Sequence, residues 1–409
     1  MRAADKANTM KYLCLLLSIL LLAPASAAGA ERNVVRVSLL TAAPGTESYE
    51  LFGHTGIRVV YEEVSPRTGE TMRRDAVFNY GLFDFDAPHF LYRFTKGETD
   101  YSIGAGHYRQ FIESYTLRGS TVYEQPLMLD SAEARCLLDA LLVNMLPQNR
   151  IYRYNFLYDN CATRPRDKVE EALGGRIVYD KSDTTVTTFR RLIHERTRNH
   201  PWLTFGIDLA LGAPLDRPVS YRNQMFLPAV LMQDWERASI VTPDGETRPL
   251  SGGIQIHALQ PRPENPATPF TPVIVFSALL LAVVACSIAE YRRGCHARLL
   301  DYLIFGLYGL FGCVLFFLIF ISIHPATSPN YSALWCHPLL WVAALCAGFA
   351  QHRRITVQLM SVVQLVTLAF FVAAPFLPQV FNPAFFPLAA IPAVRCITWI
   401  KVEQKRQRS

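Results

Sequence analysis

The sequence predicts an α+β domain followed by an all-α bundle of five membrane-spanning helices. Residues 31–268 mix charged side chains with turn-forming residues, as ordinary globular domains do, whereas residues 270–400 are mostly apolar and carry few charges. Within the first part, segments that alternate apolar and polar residues are interleaved with segments of helical periodicity. A chain of 409 residues is also long enough for two or more domains.

The first 30 residues have the pattern of a secretory signal peptide. The basic residues at its start are Arg2, Lys6 and Lys11. An apolar run at 12–22 follows, which is short for a membrane span, and small residues at 25–27 and 28–30 both fit a cleavage motif. We therefore expect residues 1–30 to be removed on export. The alternatives are an uncleaved anchor and a start at Met10.

The exported domain is expected to cover residues 31–260, with a proline-rich linker at 261–269. Runs of β-branched and alternating residues predict strands at 33–42, 51–63, 73–83, 99–106 and 120–129. Helical periodicity predicts helices at 87–96, 131–146 and 164–173, the last one stopped by Gly174. A mostly helical region then extends to about residue 231.

The apolar part of the chain contains stretches of about 20 residues, the length that a helix needs to cross a bilayer. Five can be counted: 270–289, 299–323, 331–350, 356–376 and 382–400. The Lys and Arg residues lie in alternate loops: Arg292, Arg293, Arg298, Arg353, Arg354, Lys401, Lys405, Arg406 and Arg408. Because positive residues stay on the cytoplasmic side, the domain that precedes the spans lies outside and the basic tail at 401–409 lies in the cytoplasm. The predicted location is a bacterial inner membrane.

The spans are expected to contain almost no ionisable side chains, with Asp301 and His337 close to span ends. Transporters usually carry charged residues near the middle of the membrane, so this pattern argues against transport. The sequence also contains no metal-binding, nucleotide-binding or nucleic-acid-binding motif. We therefore expect no cofactor, no metal and no nucleic-acid partner.

Cys136 and Cys161 are the cysteines of the exported domain. Cys136 lies in an amphipathic helical segment and is expected to be a small core residue. Cys161 directly precedes a predicted helix, and the N-terminus of a helix together with a nearby histidine lowers the pKa of a thiol. A disulfide between these two cysteines is the alternative.

Cys161 and His54 could form a nucleophile and its general base. His54 lies on one predicted strand and Asn79 on the next, where an amide could orient the imidazole; Asp75 is the weaker candidate for that role. Asn160 could cap the helix after Cys161, and backbone N–H groups there could bind an oxyanion. Around them, Tyr80 and Arg164 are candidate supporting or substrate-binding residues. Each residue alone more often has a structural role, and only the combination favours catalysis.

The order of His first and Cys later, in an Asn-Cys pair that opens a helix, resembles circularly permuted papain-like proteins. More closely, the chain resembles the Lnb family of bacterial lipoprotein N-acyltransferases, which have a periplasmic domain followed by five transmembrane helices. The resembling fragments are YELFGHTGIRV at 49–59, VFNYGLFDF at 77–85, YNFLYDNCATRPRD at 154–167 and MFLP at 225–228. The resemblance implies a permuted papain-like fold for the exported domain.

The resemblance also implies a function: an acyl chain moves from a membrane phospholipid, through a thioester on Cys161, to the N-terminal amine of a diacylglyceryl-cysteine lipoprotein. His54 would serve as base in both steps, and the aromatic stretch 83–94 could gather acyl chains. One competing hypothesis is a membrane-anchored cysteine peptidase or amidase of the cell wall, although five spans favour a lipid substrate. Two further hypotheses are a non-catalytic envelope assembly or sensor protein and a transporter accessory.

Overall fold

A computed structural model describes residues 32–65, 67–182, 186–260, 268–348 and 353–408. The predicted signal peptide and most of the predicted linker lie outside the described residues. The chain divides into two compact units. The first unit contains residues up to 94, 98–186 and 219–265, and the second contains residues 95–97, 187–218 and 266 onward.

Antiparallel strands form the centre of the first unit. The strands are β1 (Arg32–Ala42), β2 (His54–Val64), β3 (Thr71–Leu82), β4 (Asp100–His107), β5 (Val122–Pro126), β6 (Ile151–Arg153), β7 (Ile177–Val178), β8 (Ser239–Val241), β9 (Thr247–Pro249) and β10 (Gln255–Ala258). A seven-stranded sheet has the order β10-β5-β1-β2-β3-β4-β6, and a small sheet has the order β7-β8-β9. The long strands β1, β2 and β3 are neighbours at the centre, because each is rich in the β-branched and aromatic residues that favour strands.

Helices cover both faces of the large sheet. Before the membrane region they are α1 (Phe90–Lys96), α2 (Tyr108–Leu117), α3 (Ser131–Asn144), α4 (Thr163–Ala172), α5 (Phe189–Thr197), α6 (Pro201–Ala210), α7 (Tyr221–Gln224) and α8 (Pro228–Arg237). The main core joins one face of the sheet to α3, α4 and α8 through Leu138, Val169 and Trp235. On the other face, Phe111 of α2 packs with Leu40 and Val77.

The predicted strands before residue 130 and the helices at 131–146 and 164–173 are present, with small shifts at their ends. The α+β fold class is confirmed, and the permuted papain-like assignment stays a prediction. The prediction that Cys136 belongs to the core is wrong, because its side chain is exposed on α3 while Leu137, Leu138 and Leu141 face inward. Both Cys136 and Cys161 carry free thiols.

The second unit contains the apolar helices α9 (Pro272–Arg293), α10 (Arg298–Phe320), α11 (Leu339–Gly348), α12 (Arg353–Ala373) and α13 (Phe385–Arg408). Among the described residues, four apolar helices are long enough to cross a membrane, at 272–293, 298–320, 354–376 and 385–408. The span expected at 331–350 is represented there by a shorter apolar helix at Tyr331–Cys346. The C-terminal region is therefore helical, with four to five apolar helices.

The expectation of almost uncharged spans is wrong for Arg395 of α13. Its guanidinium is fully buried and donates to Glu290 of α9 at 2.7 and 2.8 Å and to Asp301 of α10 at 2.7 Å. Trp399 donates to the other oxygen of Asp301 at 3.0 Å. The charges offset one another inside the bundle, which is the usual arrangement for ionisable residues at membrane depth.

Candidate active site

The first residue of β2 and a residue near the end of β3 form the polar pair of the site. The imidazole Nε2 of His54 lies 3.2 Å from Oδ1 of Asn79. The strand register places Gly56 opposite Asn79, so the two side chains meet diagonally across neighbouring strands. The amide Nδ2 of Asn79 donates to the carbonyl of Val77 at 3.3 Å, which turns the amide oxygen toward the ring.

This hydrogen bond fixes which nitrogen of His54 can act as a base. An amide oxygen only accepts, so Nε2 carries the proton and donates it to Asn79. The neutral ring therefore has its lone pair on Nδ1. A general base with a defined tautomer is what acyl transfer by a thiol requires.

The absence of a side chain at Gly56 makes room for this pair. A Cβ atom there would lie 3.1 Å from Oδ1 of Asn79 and 2.9 Å from Cγ1 of Val77. The second distance is shorter than real Cβ contacts allow, so any other residue would push the amide or the strand. The packing of both Val77 and Asn79 therefore favours glycine at position 56.

Cys161 lies in a tight loop that leads into α4. Asn160 holds this loop: its Oδ1 accepts from the N–H groups of Ala162 at 2.8 Å and Thr163 at 2.9 Å, as an N-terminal cap does. Its Nδ2 donates to the carbonyls of Phe156 at 2.7 Å and Phe226 at 2.9 Å.

Asn160 is buried, and both its amide oxygen and its amide nitrogen are bonded within the protein. Its side chain therefore holds the loop that carries Cys161. The N–H groups of Ala162 and Thr163 are already bonded to Asn160, so they do not serve as oxyanion donors in this arrangement. Phe226 belongs to the MFLP fragment, so this hydrogen bond joins that fragment to the loop that carries Cys161.

The thiol of Cys161 lies where β2 and β3 part. The paired register of these strands stops at Gly56 and Asn79, and β3 has a bulge at Gly81, whose φ of 92° is in the region that favours glycine. A Cβ atom on Gly81 would lie 3.7 Å from Cβ of Cys161. On the other side, the backbone N–H of Thr55 hydrogen-bonds the thiol. Cys161 thus lies beside the residue that follows His54 in β2.

Burial keeps the thiol of Cys161 and the imidazole of His54 neutral. It raises the pKa of Cys161 to about 11, against the hydrogen bonds from the backbone N–H groups of Thr55 and of Cys161 itself. Burial also lowers the pKa of His54 to about 4, against the hydrogen bond of Asn79 and together with the charge of Arg118. The expectation that the helix start would give Cys161 a lowered pKa is therefore not met, because burial outweighs it.

Aromatic residues that sequence reasoning missed form the wall around His54. Tyr115 stacks on the imidazole at 6.0 Å between ring centroids, and Phe111 lies at 6.5 Å. Burial raises the pKa of both Tyr152 and Tyr154, and a thiolate at Cys161 would raise both further. The helical spacing of Phe111 and Tyr115 in α2 was a readable signal for one apolar face.

The remaining predicted residues support the site from outside. Arg164 makes two hydrogen bonds to Asp159, at 2.5 and 2.8 Å, and its guanidinium lies 3.7 Å from the ring centroid of Tyr152. Tyr80 is fully buried and donates to Oδ1 of Asn144 at 2.8 Å. The structure therefore places Tyr80 in the core and Arg164 in the loop that carries Cys161.

Asp75, the weaker candidate for orienting His54, is engaged elsewhere. Both of its oxygens accept from Arg58, at 2.7 and 2.8 Å. Asn79 is the residue that contacts the imidazole.

Two family models match this chain. Residues 27–195 match the Lnb N-terminal periplasmic domain, and residues 264–407 match the Lnb transmembrane domain. The chain belongs to the Lnb family. No curated protein and no solved structure matches it.

Membership of the Lnb family indicates in which part of the protein the candidate site lies. An Lnb protein is a membrane-associated lipoprotein-processing protein with an enzyme-like role, and this chain combines a periplasmic domain with a membrane region. His54, Asn79 and Cys161 all lie within the part of the chain that matches the periplasmic domain.

Proposed function

We propose that this Lnb protein is a lipoprotein N-acyltransferase that uses Cys161 as nucleophile and His54 as general base. The observation that carries the proposal is the thiol beside Thr55, next in sequence to an imidazole whose tautomer is fixed by Asn79. A membrane phospholipid is the proposed acyl donor, and the N-terminal amine of a diacylglyceryl-cysteine lipoprotein is the proposed acceptor. Residues 401–409 lie in the cytoplasm in this proposal, and the membrane is the inner one.

In the first half-reaction, Nδ1 of His54 takes the proton of the thiol while sulfur attacks the ester carbonyl of the phospholipid. The tetrahedral intermediate collapses with cleavage of the ester C–O bond. The lysophospholipid oxygen leaves with the proton from the imidazolium, and the acyl chain remains on Cys161 as a thioester.

In the second half-reaction, the lipoprotein amine attacks the thioester carbonyl and gives a proton to His54. The C–S bond breaks, an amide forms, and the proton returns to sulfur. The N–H groups of Cys161 and Thr55 are our candidates for stabilising the oxyanions, because both lie beside the sulfur.

The pKa values of Cys161 and His54 indicate at which step the thiol proton moves. With the pKa of the thiol near 11 and that of the imidazole near 4, burial opposes proton transfer between them before a substrate binds. A preformed thiolate is thus disfavoured. We propose that proton transfer accompanies attack on the ester, when charge moves to an oxygen that hydrogen bonds can stabilise.

The test is complementation in cells that lack any other lipoprotein N-acyltransferase, with mass spectrometry of a lipoprotein N-terminus. The wild-type chain should add a third acyl chain, and Cys161→Ala, expressed to the same level, should not. Cys136→Ala is the matched control, because it removes the other thiol of the same domain from an exposed position. Addition of the chain by Cys161→Ala would overturn the proposed mechanism, and no addition by the wild type would overturn the proposed activity.

A further inference from the structure

Helix α6 (Pro201–Ala210) has the reverse of the burial pattern of a helix on an aqueous surface. Its sequence, PWLTFGIDLA, has one ionisable side chain, Asp208. Asp208 is the residue of α6 that is fully buried, whereas Trp202 is 43% exposed and Gly206 is exposed as well. Surface helices normally bury their apolar side and expose their charges.

The second unit holds α6 against the ends of its membrane helices. The ring of Phe205 lies 5.2 Å from that of Phe276 and 5.4 Å from that of Phe385. Trp202 lies 5.6 Å from the ring of Phe276 and donates its Nε1–H to the carbonyl of Phe270 at 2.8 Å.

Phe276 is in the first turns of α9, about 6 Å along the axis from Pro272, and Phe385 is the first residue of α13. Because α9 follows the periplasmic domain, its N-terminal end is the periplasmic end. Helix α6 therefore lies at the depth of the periplasmic interface of the membrane.

The charge of Asp208 is compensated inside this unit. Its carboxylate accepts from Arg190 at 2.6 Å, from His194 at 2.8 Å and from Asn382 at 2.9 Å. Arg190 also pairs with Asp216, at 2.8 Å. A buried charge with this many partners leaves the outward sides of α6 without a charged group, which suits contact with hydrocarbon.

Hydrogen bonds from backbone groups and from one side chain fix the end of α6 to the loop between α10 and α11. The N–H of Gly212 donates to the carbonyl of Ala326 at 2.8 Å, and that of Ala213 donates to Pro329 at 2.9 Å. Asn330 donates to the carbonyl of Leu209 at 2.8 Å. The helix is thus held at this depth by hydrogen bonds as well as by ring packing.

We infer that α6 is an interfacial helix embedded in the outer leaflet, and that phospholipid covers its exposed side. Trp202 would lie at the level of the headgroups, where tryptophan is enriched. Interfacial helices bury an apolar side in the boundary between headgroups and acyl chains, and the ring contacts of Phe205 place α6 beside the first turns of two membrane helices. This helix lies between the two matched family regions, 27–195 and 264–407, so neither of them includes it.

Residues 187–218 belong to the second unit, although the segments before and after them in the chain belong to the first. The chain leaves the first unit after residue 186 and returns at residue 219, having passed through the second unit. The excursion separates the segment that carries Cys161 from the segment that carries Phe226. In this placement, both segments are continuous along the chain with an element that is seated in lipid.

Site-specific photo-crosslinking in the full chain, reconstituted in phospholipid nanodiscs, tests the inference. Gly206 is the position of choice for p-benzoylphenylalanine, because a Cβ atom there meets nothing within 4 Å. Leu310 of α10 is the lipid-facing reference, and Thr68, exposed in the β2–β3 turn, is the aqueous reference. Peptides whose mass is increased by one phospholipid should appear with the photo-crosslinker at position 206, as they do at position 310. They should be absent with the crosslinker at position 68. A result at 206 that matches 68 would overturn the inference.

A matched pair of variants provides the second measurement. Gly206→Leu and Gly206→Lys both fit the open space and have similar helix propensities. If position 206 faces hydrocarbon, the lysine variant should unfold at a lower temperature in nanodiscs than the leucine variant. Equal unfolding temperatures would count against a lipid-facing helix.

Discussion

Asn79→Ala is the substitution that most directly tests the site. The amide oxygen of Asn79 accepts the Nε2 proton of His54 at 3.2 Å, in surroundings that keep the imidazole neutral. Without this oxygen, the buried ring N–H has lost its acceptor and the ring can adopt the other tautomer. Nδ1, the proposed base, would then carry the proton and could not accept one from the thiol.

The expected loss follows from the cost of that orphaned donor. A buried polar group left without its partner costs about 1–3 kcal/mol. At 1.36 kcal/mol for each factor of ten, the rate constant of acylation should fall by about 5- to 150-fold. The KM for the phospholipid should change little, because Asn79 contacts the imidazole and supports the reaction through it.

The assay follows formation of the Cys161 thioester in a single turnover, by intact-protein mass, with the full chain in phospholipid nanodiscs. Asp75→Asn is the matched control: it alters the same strand at the residue that pairs with Arg58. It should keep the acylation rate per folded molecule. A wild-type rate in Asn79→Ala, or an equal loss in Asp75→Asn, would refute the reasoning.

The geometry of the site makes three more predictions. Because the pKa of His54 is lowered to about 4 in the folded protein, the unfolded state binds more protons below pH 6.5. Stability should therefore decrease as the pH falls from 6.5 to 4, by up to about 3 kcal/mol from this group, and His54→Gln should remove that part of the pH dependence of chemical denaturation. Gly56→Ala should lower both the acylation rate and the unfolding temperature, because the added Cβ meets Cγ1 of Val77 at 2.9 Å and Oδ1 of Asn79 at 3.1 Å; an unchanged acylation rate would mean that the amide can shift freely. Asn160→Ala should reduce the free energy of unfolding by on the order of 3 kcal/mol, since its side chain makes four hydrogen bonds, and Asn160→Asp, which keeps the two cap contacts, should lose less.

Much of the fold could be predicted from the sequence, because the composition of the central strands agrees with the structure that they adopt. β1, β2 and β3 have the composition and alternation of strands, and the turn between β2 and β3 contains Gly69, with a φ of 68°. The pairing of His54 with Asn79 was predictable from adjacent strands.

Several features depend on tertiary contacts that one sequence does not reveal. The burial that raises the pKa of Cys161 arises from the β3 bulge and the surrounding rings, which lie far apart in the chain. Cys136 falls on the exposed side of α3 because the helix turns its leucines to the sheet. The clustering of residues 187–218 with the membrane helices depends on contacts such as Asp208 with Asn382.

The buried ion set that joins α13 to α9 and α10 constrains how the membrane unit is assembled. Spans are synthesised in chain order, so Glu290 and Asp301 exist before Arg395 does. Glu290 lies three residues before the end of α9 and Asp301 lies three residues after the start of α10, so both acids are near helix ends and lack their buried guanidinium until the last span arrives. The final span thus completes the bundle as a counterion as well as a helix. A chain truncated before residue 385 would leave Glu290 and Asp301 without the guanidinium that pairs with both of them.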